Sequence, residues 1–343
     1  MRSPVSGHLT PDRTPGWPAT GFRWPAIPPA RRASGAGADR ALAGTRFLGD
    51  VVRVRHIIET IELRGEGGLR LVADVAGPAS GPTVLLLHGG GQTRHSWRRT
   101  LGSLADAGWR AFSLDLRGHG DSAWSEDGAY DLPSFAADVR EVARQLSRRP
   151  VVVGASLGGI AALLAVGESS EPVARALVLV DVAPQIEAAG SQRVRDFMLE
   201  RATVGFGSLD EVADAVAAYN PHRPRPTDLA GLHKNVRQRA DGRWIWRWDP
   251  RVMQAPTSVA TGSAAADEPV ARMEAAARML TIPTLLVRGR VSDLLSMEGA
   301  LAFQRLVPQA ELVDVEGAGH MIAGDRNDPF NAAIVEFLRT IGA

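Results

Sequence analysis

Residues 151–164 read Val-Val-Val-Gly-Ala-Ser-Leu-Gly-Gly-Ile-Ala-Ala-Leu-Leu. The β-branched run at the start predicts a buried strand, and the small and apolar residues at helical spacing that follow predict a helix. Ser156 stands at the tip of the turn between them, within a Gly-x-Ser-x-Gly pentapeptide. Gly154 and Gly158 allow the backbone to pack where a Cβ would clash. The pattern predicts a serine hydroxyl held above a sheet, beside a helix N-terminus that favours negative charge.

Composition limits the function classes. The chain has 343 residues, 45% of them hydrophobic, and a net charge of +1 from 39 basic and 38 acidic residues. This balance provides no overall field for binding nucleic acid or anionic lipid. The absence of cysteine excludes disulfides, thiolate metal sites and a thiol nucleophile. No apolar run approaches the roughly 18–20 residues that span a bilayer. We see no signal-peptide pattern and expect a cytoplasmic protein.

The chain divides into three kinds of sequence. Residues 1–45 are rich in Pro, Gly and Arg without periodicity and predict a disordered or loosely ordered extension. Residues 46–183 and 281–343 open with an antiparallel hairpin and then alternate buried strands with helices, which predicts a doubly wound, mainly parallel sheet. Residues 184–280 lose this rhythm, and about a hundred residues are too many for a loop, so we predict a mostly helical cap insertion.

Ligand sites in such sheets lie off the carboxyl ends of the strands. A serine there needs a histidine to remove its proton and an acid to orient that histidine. His320 follows the last predicted strand and is the expected base. Asp293 follows the preceding predicted strand and is the preferred acid, with Asp181 as the alternative. The chain order Ser156, Asp293, His320 matches the order that this chemistry uses on this kind of sheet.

Other polar residues at these strand ends are expected to have structural roles. Asp115 and His119 would fix their own Arg117–Gly120 turn, and His88 would bond backbone at the end of its strand. Asp138 and Glu141, on a predicted helix over residues 132–147, are expected to be solvated. The oxyanion of an acyl-transfer reaction requires two fixed donors. The backbone N–H groups of Leu157 and Gly90 are the candidates.

Together these motifs resemble the α/β-hydrolase family. The motifs are His88-Gly89-Gly90-Gly91, Asp115–Ser122, Gly154–Gly158, Ser292-Asp293 and Gly319-His320. More narrowly they resemble its capped serine members, among them esterases, lactonases and cofactor-free haloperoxidases. The resemblance implies Ser156 as nucleophile, Asp293 as acid, His320 as base and Gly90 and Leu157 at the oxyanion hole, with no metal or organic cofactor.

The same resemblance separates activities within the family. Epoxide hydrolases and haloalkane dehalogenases use an aspartate where Ser156 stands, which argues against both. Carbon–carbon bond hydrolases often carry a Gly-Pro-Gly signature where this chain has Gly91-Gln92-Thr93-Arg94, so that activity is less favoured.

The predicted cap offers two sets of candidate substrate contacts. Trp244 and Trp246 alternate and could wall an apolar pocket, or could equally pack the cap against the sheet. Arginines in the cap could meet an anionic substrate group or form a solvated face; they are Arg223, Arg225, Arg243, Arg247 and Arg251.

The sequence thus predicts hydrolysis of a small carboxylic ester or lactone through an acyl-Ser156 intermediate. Perhydrolysis or carbon–carbon cleavage on the same triad is the first alternative. The alternative of another class is a ligand-binding protein whose turnover is incidental. The expected partner is a small molecule, with neither nucleic acid nor a membrane span involved.

Overall fold

The computed structural model describes residues 56–219, 224–254, 264–316, 319 and 328–342. Its main feature is an eight-stranded sheet. In chain order the ten strands of the described part are β1 (Glu59–Arg64), β2 (Arg70–Ala76), β3 (Thr83–Leu87), β4 (Arg110–Leu114), β5 (Val151–Ala155), β6 (Ala176–Val180), β7 (Val236–Gln238), β8 (Trp244–Trp246), β9 (Thr284–Gly289) and β10 (Ala310–Val315). The predicted extension at residues 1–45 lies outside the described residues.

The large sheet has the order β1-β2-β4-β3-β5-β6-β9-β10. Strands β1 and β2 form the predicted antiparallel hairpin, and β2 also pairs antiparallel with β4. The strands from β4 to β10 in this order are parallel. The prediction of a doubly wound, mainly parallel sheet is confirmed. Strand β5, which carries the turn at Ser156, lies in the centre between β3 and β6.

In chain order the α-helices of the described part are α1 (Arg98–Asp106), α2 (Leu132–Gln145), α3 (Leu157–Gly167), α4 (Ala188–Leu199), α5 (Leu209–Tyr219), α6 (Ala264–Arg278), α7 (Met297–Leu306) and α8 (Asp328–Thr340). All of them except α4 and α5 cover the two faces of this sheet. One core cluster joins buried residues of α2, α3, α6 and α7, and the other joins those of α1 and α8. In β5, Val152 belongs to the first cluster and Val151 and Val153 to the second. Side chains alternate across a strand, so an uninterrupted apolar run supplies both cores.

The segment between β6 and β9 is mostly helical, as predicted, but also contains a hairpin. Helices α4 and α5 precede the antiparallel pair β7–β8. A third core cluster lies in this segment and includes Met198, Phe206 and Trp246. Helix α6, the last element before β9, contributes Met273 to the main core beside α3. The segment therefore contains a small core of its own and returns to the main one through α6.

A buried ionic network fixes the turns that follow β3 and β4. The Asp115 carboxylate accepts hydrogen bonds from the backbone N–H of Asp121 at 2.9 Å and of Arg94 at 2.6 Å. The Arg94 guanidinium also pairs with Asp74 on β2 at 2.9 Å and with Asp121 at 2.7 Å. Arg247, from the segment between β6 and β9, pairs with Asp121 in turn. The expectation that Asp115 fixes its own turn is confirmed, and Arg94 is its buried partner.

One expectation about a charged residue is wrong. Asp138 is buried rather than solvated, because it lies one helical turn from Phe135 on the inner face of α2. Its burial is compensated by Arg117, which donates to it at 2.6 and 2.7 Å, and by the backbone N–H of Glu66 at 2.8 Å. Glu141 on the same helix is half-buried and pairs with Arg144.

Two buried histidines connect the loops. His88 donates from Nδ1 to the Gly89 carbonyl at 2.8 Å, and its Nε2 accepts from the Leu116 N–H at 3.0 Å. His119 donates to the Arg117 carbonyl at 2.9 Å and accepts from the Gly91 N–H at 3.2 Å. Each ring thus donates once and accepts once, as a neutral imidazole does. Both histidines are structural, as the sequence predicts.

This arrangement predicts acid sensitivity. Burial lowers the pKa of His88 to about 4, and burial together with the neighbouring His88 lowers that of His119 to about 3. The unfolded chain therefore binds more protons than the folded one as pH falls below about 6.5. The free energy of unfolding should have its full value above that pH and fall as the pH is lowered towards 4. At pH 5 the loss should be roughly 2 kcal/mol for each histidine. Urea unfolding at pH 7.5 and pH 5 measures this loss of unfolding free energy. In His119→Gln the loss should be about half that of the wild type, because only His88 remains to take up a proton on unfolding. Equal losses in variant and wild type would contradict the lowered pKa of His119.

Candidate active site

Ser156 lies between β5 and α3 in a strained backbone conformation. Its φ is 47° and its ψ −118°, in the left-handed half of the map that non-glycine residues rarely adopt. Such a residue costs on the order of 1–3 kcal/mol and persists only where its surroundings hold it. The Ser156 N–H donates to the Val180 carbonyl of β6 at 3.2 Å, and the Ser156 carbonyl accepts from the Ile160 N–H at 2.9 Å. The turn is therefore anchored to the neighbouring strand and to its own helix.

The two glycines of the pentapeptide are required by close backbone packing. A Cβ on Gly154 would lie 2.4 Å from the Gly158 carbonyl oxygen, and one on Gly158 would lie 2.6 Å from the His88 carbonyl oxygen. Both distances are well below van der Waals contact, so neither position accepts a side chain without moving backbone. The second contact also brings α3 against the loop after β3.

Two backbone amides next to Ser156 have no acceptor among the residues that the structure describes. Within the described part of the chain, no hydrogen bond uses the N–H of Gly90 or of Leu157. The neighbouring loop amides are used: the Gly89 N–H donates to Gln92 Oε1 and the Gly91 N–H to His119. Gly90, Ser156 and Leu157 line the same cleft. These amides can stabilise an oxyanion next to the serine hydroxyl.

Asp181 stands at the end of β6, beside the elbow strand. It is fully buried and has a φ of 52°. Its carboxylate accepts from the Gly289 N–H at 3.0 Å and from the Ser292 hydroxyl at 2.6 Å. Its own N–H donates to the Val287 carbonyl at 2.7 Å. A buried carboxylate with two fixed donors is oriented without freedom to rotate.

Asp293, the acid preferred from the sequence, is in a different environment. Its side chain is 37% exposed, and its carboxylate pairs with Arg193 of α4 at 2.7 Å. The Asp293 backbone packs against Gly190 of α4. A Cβ on Gly190 would lie 2.0 Å from the Asp293 carbonyl oxygen. In the structure Asp293 thus connects the loop after β9 to α4.

The expected base, His320, lies outside the described residues. Strand β10, which precedes it, ends at Val315 beside the end of β9. The described structure therefore brings together Ser156, the amides of Gly90 and Leu157, and the edge where Asp181 and Asp293 lie. The role of His320 stays a prediction from the chain order.

An apolar cleft opens above Ser156. Its volume is roughly 730 Å³, a value that includes space open to solvent. Helix α4 provides much of one wall, including Met198, whose sulfur would lie 3.5 Å from a Cβ on Gly90. The lining residues are Gly90, Ser156, Leu157, Ile160, Val182, Ile186, Ser191, Val194, Arg195, Met198, Met253 and Leu294. The α4 residues among them recur at three- and four-residue spacing, a periodicity that could have indicated this face from the sequence.

Trp244 and Trp246 are not among these lining residues. The Trp246 ring is buried against Phe206, with ring centroids 5.2 Å apart, and belongs to the core of the segment between β6 and β9. Trp244 is half-buried, and its backbone exchanges hydrogen bonds with that of Phe206. Both rings pack within this segment, which differs from the two roles that the sequence offered, a wall of the substrate pocket and packing of the cap against the sheet.

The described residues contain no group of three or more His, Cys, Asp or Glu side chains that could hold a metal ion. In the same part of the chain, the structure has no helix that is both long enough and apolar enough to cross a membrane.

Comparisons with known proteins agree with this architecture. The family model for the alpha/beta hydrolase fold matches residues 82–326. The chain is similar to the esterase Rv0045c of Mycobacterium tuberculosis, with 31% identity over 76% of this chain and 83% of the relative. A solved structure of that esterase covers 83% of this chain and 91% of its own, with 28% identity and a TM-score of 0.63. Non-heme chloroperoxidase CPO-A1 of Kitasatospora aureofaciens is 26% identical over 75% of this chain and 92% of its own length.

The strained serine on the central strand, the parallel sheet and the matched family model lead to one conclusion: the chain belongs to the α/β-hydrolase fold family.

Proposed function

We propose that this chain is a hydrolase that cleaves a small carboxylic ester or lactone through an acyl-Ser156 intermediate. The observation that carries the proposal is that one apolar cleft holds the strained Ser156 and the backbone amides of Gly90 and Leu157, which have no hydrogen-bond acceptor among the described residues. The esterase name of the relative from M. tuberculosis supports the ester as the bond cleaved.

The proposed reaction combines this geometry with His320 as the base, the role that the chain order predicts. Ser156 Oγ attacks the ester carbonyl carbon while His320 takes its proton, and the N–H groups of Gly90 and Leu157 bind the oxyanion that forms. The intermediate collapses, the carbon–oxygen bond to the alcohol breaks, and His320 returns the proton to the leaving alkoxide. Water then attacks the acyl-enzyme with His320 as base, which releases the acid and restores the serine. A lactone reacts identically, because its leaving alcohol is part of the same molecule.

The contacts support Asp181 rather than Asp293 as the acid that orients His320. Asp181 is buried at the end of β6, the strand next to the serine strand, and two donors fix its carboxylate. Asp293 is partly exposed, and Arg193 already neutralises its charge. The chain order of serine, acid and base is the same with either residue.

The segment over residues 184–280 acts in this proposal as the cap. Its helix α4 places Met198 and Val194 over the serine, so the acyl group of the substrate would be partly apolar. Residues 46–183 and 281–343 form the catalytic core in the same proposal.

A second activity on the same site is supported by the chloroperoxidase among the relatives. If hydrogen peroxide rather than water attacks the acyl-enzyme, the product is a peracid and the serine is restored in the same way. Peracid formation, measured beside ester hydrolysis at equal peroxide and enzyme concentrations, compares the two nucleophiles.

The nucleophile can be tested with 4-nitrophenyl acetate and butyrate from pH 5 to pH 9. Ser156→Ala should lower kcat/KM at least about 1000-fold, because the oxyanion donors and substrate binding alone leave only a small residual rate. Wild-type kcat/KM should rise with a pKa near about 6.5, the ordinary value of a histidine base. Ser170→Ala, the same change at an exposed position, is the matched control. Equal activity in Ser156→Ala and wild type would contradict the proposal.

The acid can be tested by comparing Asp181→Asn with Asp293→Asn. We expect Asp181→Asn to reduce kcat by up to about 10⁴-fold, since an amide cannot stabilise the imidazolium, and Asp293→Asn to cost only a few-fold. Circular dichroism checks that both variants are folded. Ser292→Ala, which removes one donor to Asp181, should reduce kcat less than Asp181→Asn and more than Asp293→Asn. The opposite order for the two aspartates would return the role of acid to Asp293.

A further inference from the structure

Arg195 is the cationic side chain among the described residues that line the cleft above Ser156. It lies on α4, is half-buried, and stands among the apolar side chains of Val194, Met198 and Leu294. The described lining contains no carboxylate. An arginine in such surroundings gains free energy from an anionic partner, because the apolar walls reduce its contact with water.

Within the described part of the chain, Arg195 forms no hydrogen bond and no ion pair. Neighbouring arginines are partnered. Arg193, two residues earlier on the same helix, pairs with Asp293. The described cap arginines that the sequence offered as possible anion contacts are also occupied: Arg225 pairs with Asp210 and Asp214, Arg243 donates to the Val204 and Gly205 carbonyls, Arg247 pairs with Asp121, and Arg251 pairs with Asp249. Arg223 lies outside the described residues.

The position of Arg195 selects the chemistry of its ligand. Arg195 shares one cleft with Ser156, so a group bound to it belongs to the molecule whose ester bond is cleaved. A guanidinium presents a planar set of donors that matches the two oxygens of a carboxylate. The hydroxyl of Ser191, one helical turn away on α4 and also in the cleft, can donate to the same group.

We propose that Arg195 binds a carboxylate on the acyl part of the substrate, so that the preferred substrate is a monoester of a dicarboxylic acid. This proposal rests on the proposed ester hydrolysis and specifies its substrate class. The apolar residues of the cleft contact the methylene groups between the scissile ester and the free carboxylate, while Arg195 determines which end of the acyl chain lies away from Ser156.

The test uses a pair of esters that differ in one charge. One is mono-4-nitrophenyl adipate, and the other is methyl 4-nitrophenyl adipate, in which the distal carboxylate is a neutral methyl ester. Adipate is chosen because aryl monoesters of shorter diacids cyclise to anhydrides without enzyme. We expect wild type to have a kcat/KM at least about 10-fold higher for the monoester.

Arg195→Gln should abolish this preference. Its kcat/KM for the monoester should fall about 10- to 100-fold, and the ratio of kcat/KM for the monoester to that for the neutral diester should fall to about 1. Arg144→Gln, which removes the same charge from an exposed position on α2, is the matched control and should leave both values unchanged. Raising NaCl from 0.05 to 0.5 M should increase the wild-type KM for the monoester more than for the diester, because salt screens a half-exposed ion pair.

A binding measurement separates this proposal from the proposed reaction. Calorimetry with monomethyl adipate, a monoester that Ser156→Ala cannot turn over, should give a Kd about 10-fold lower for Ser156→Ala than for Ser156→Ala/Arg195→Gln. Equal wild-type rates for the two 4-nitrophenyl esters, an equal loss on both in Arg195→Gln, or equal affinity in the two Ser156→Ala proteins would overturn the carboxylate proposal. Ser156-dependent turnover of the diester would leave ester hydrolysis standing in each of those cases.

Discussion

A Cβ on Gly154 would lie 2.4 Å from the Gly158 carbonyl oxygen, and this close approach of strand to helix governs the rest of the site. It forces the chain to reverse within the pentapeptide, which places Ser156 in a left-handed conformation at the end of the central strand. The same packing brings α3 against the carbonyl of His88, and Leu157 and Gly90 line the same cleft as the serine. One local constraint thus positions both Ser156 and the two amides proposed as oxyanion donors.

The loops around the serine hold their shape through buried charge rather than through apolar contact. Arg94 has three carboxylate partners on β2 and on the turn after β4, and Arg247 adds an ion pair from the segment between β6 and β9 to the same turn. Leaving any one of these groups unpaired in a buried position would be strongly destabilising. The network therefore couples the segment between β6 and β9 to the loop that carries Gly90.

The sequence predicted the sheet and the elbow because both depend on local patterns. Uninterrupted apolar runs indicated strands buried on both faces, and Phe135, Val139 and Val142 gave the inner stripe of α2 correctly. Asp138 on the same stripe was misjudged, because its compensating partner Arg117 lies 21 residues away and no local pattern reveals the pair. The Arg94 network was not predicted for the same reason, because its carboxylate partners lie 20 to 27 residues away along the chain. The β7–β8 hairpin was not predicted either, although its two strands are close in sequence.

The role of Ser156 as nucleophile can be tested by covalent labelling, which needs no knowledge of the substrate. The folded protein would be incubated with a fluorophosphonate, which reacts with activated serine hydroxyls, and digested for mass spectrometry of the peptide that contains Ser156. The account predicts one phosphonyl group per chain on Ser156 and no labelling in Ser156→Ala. A cooperatively folded wild-type protein that remains unlabelled, or that is labelled at another residue, would contradict it.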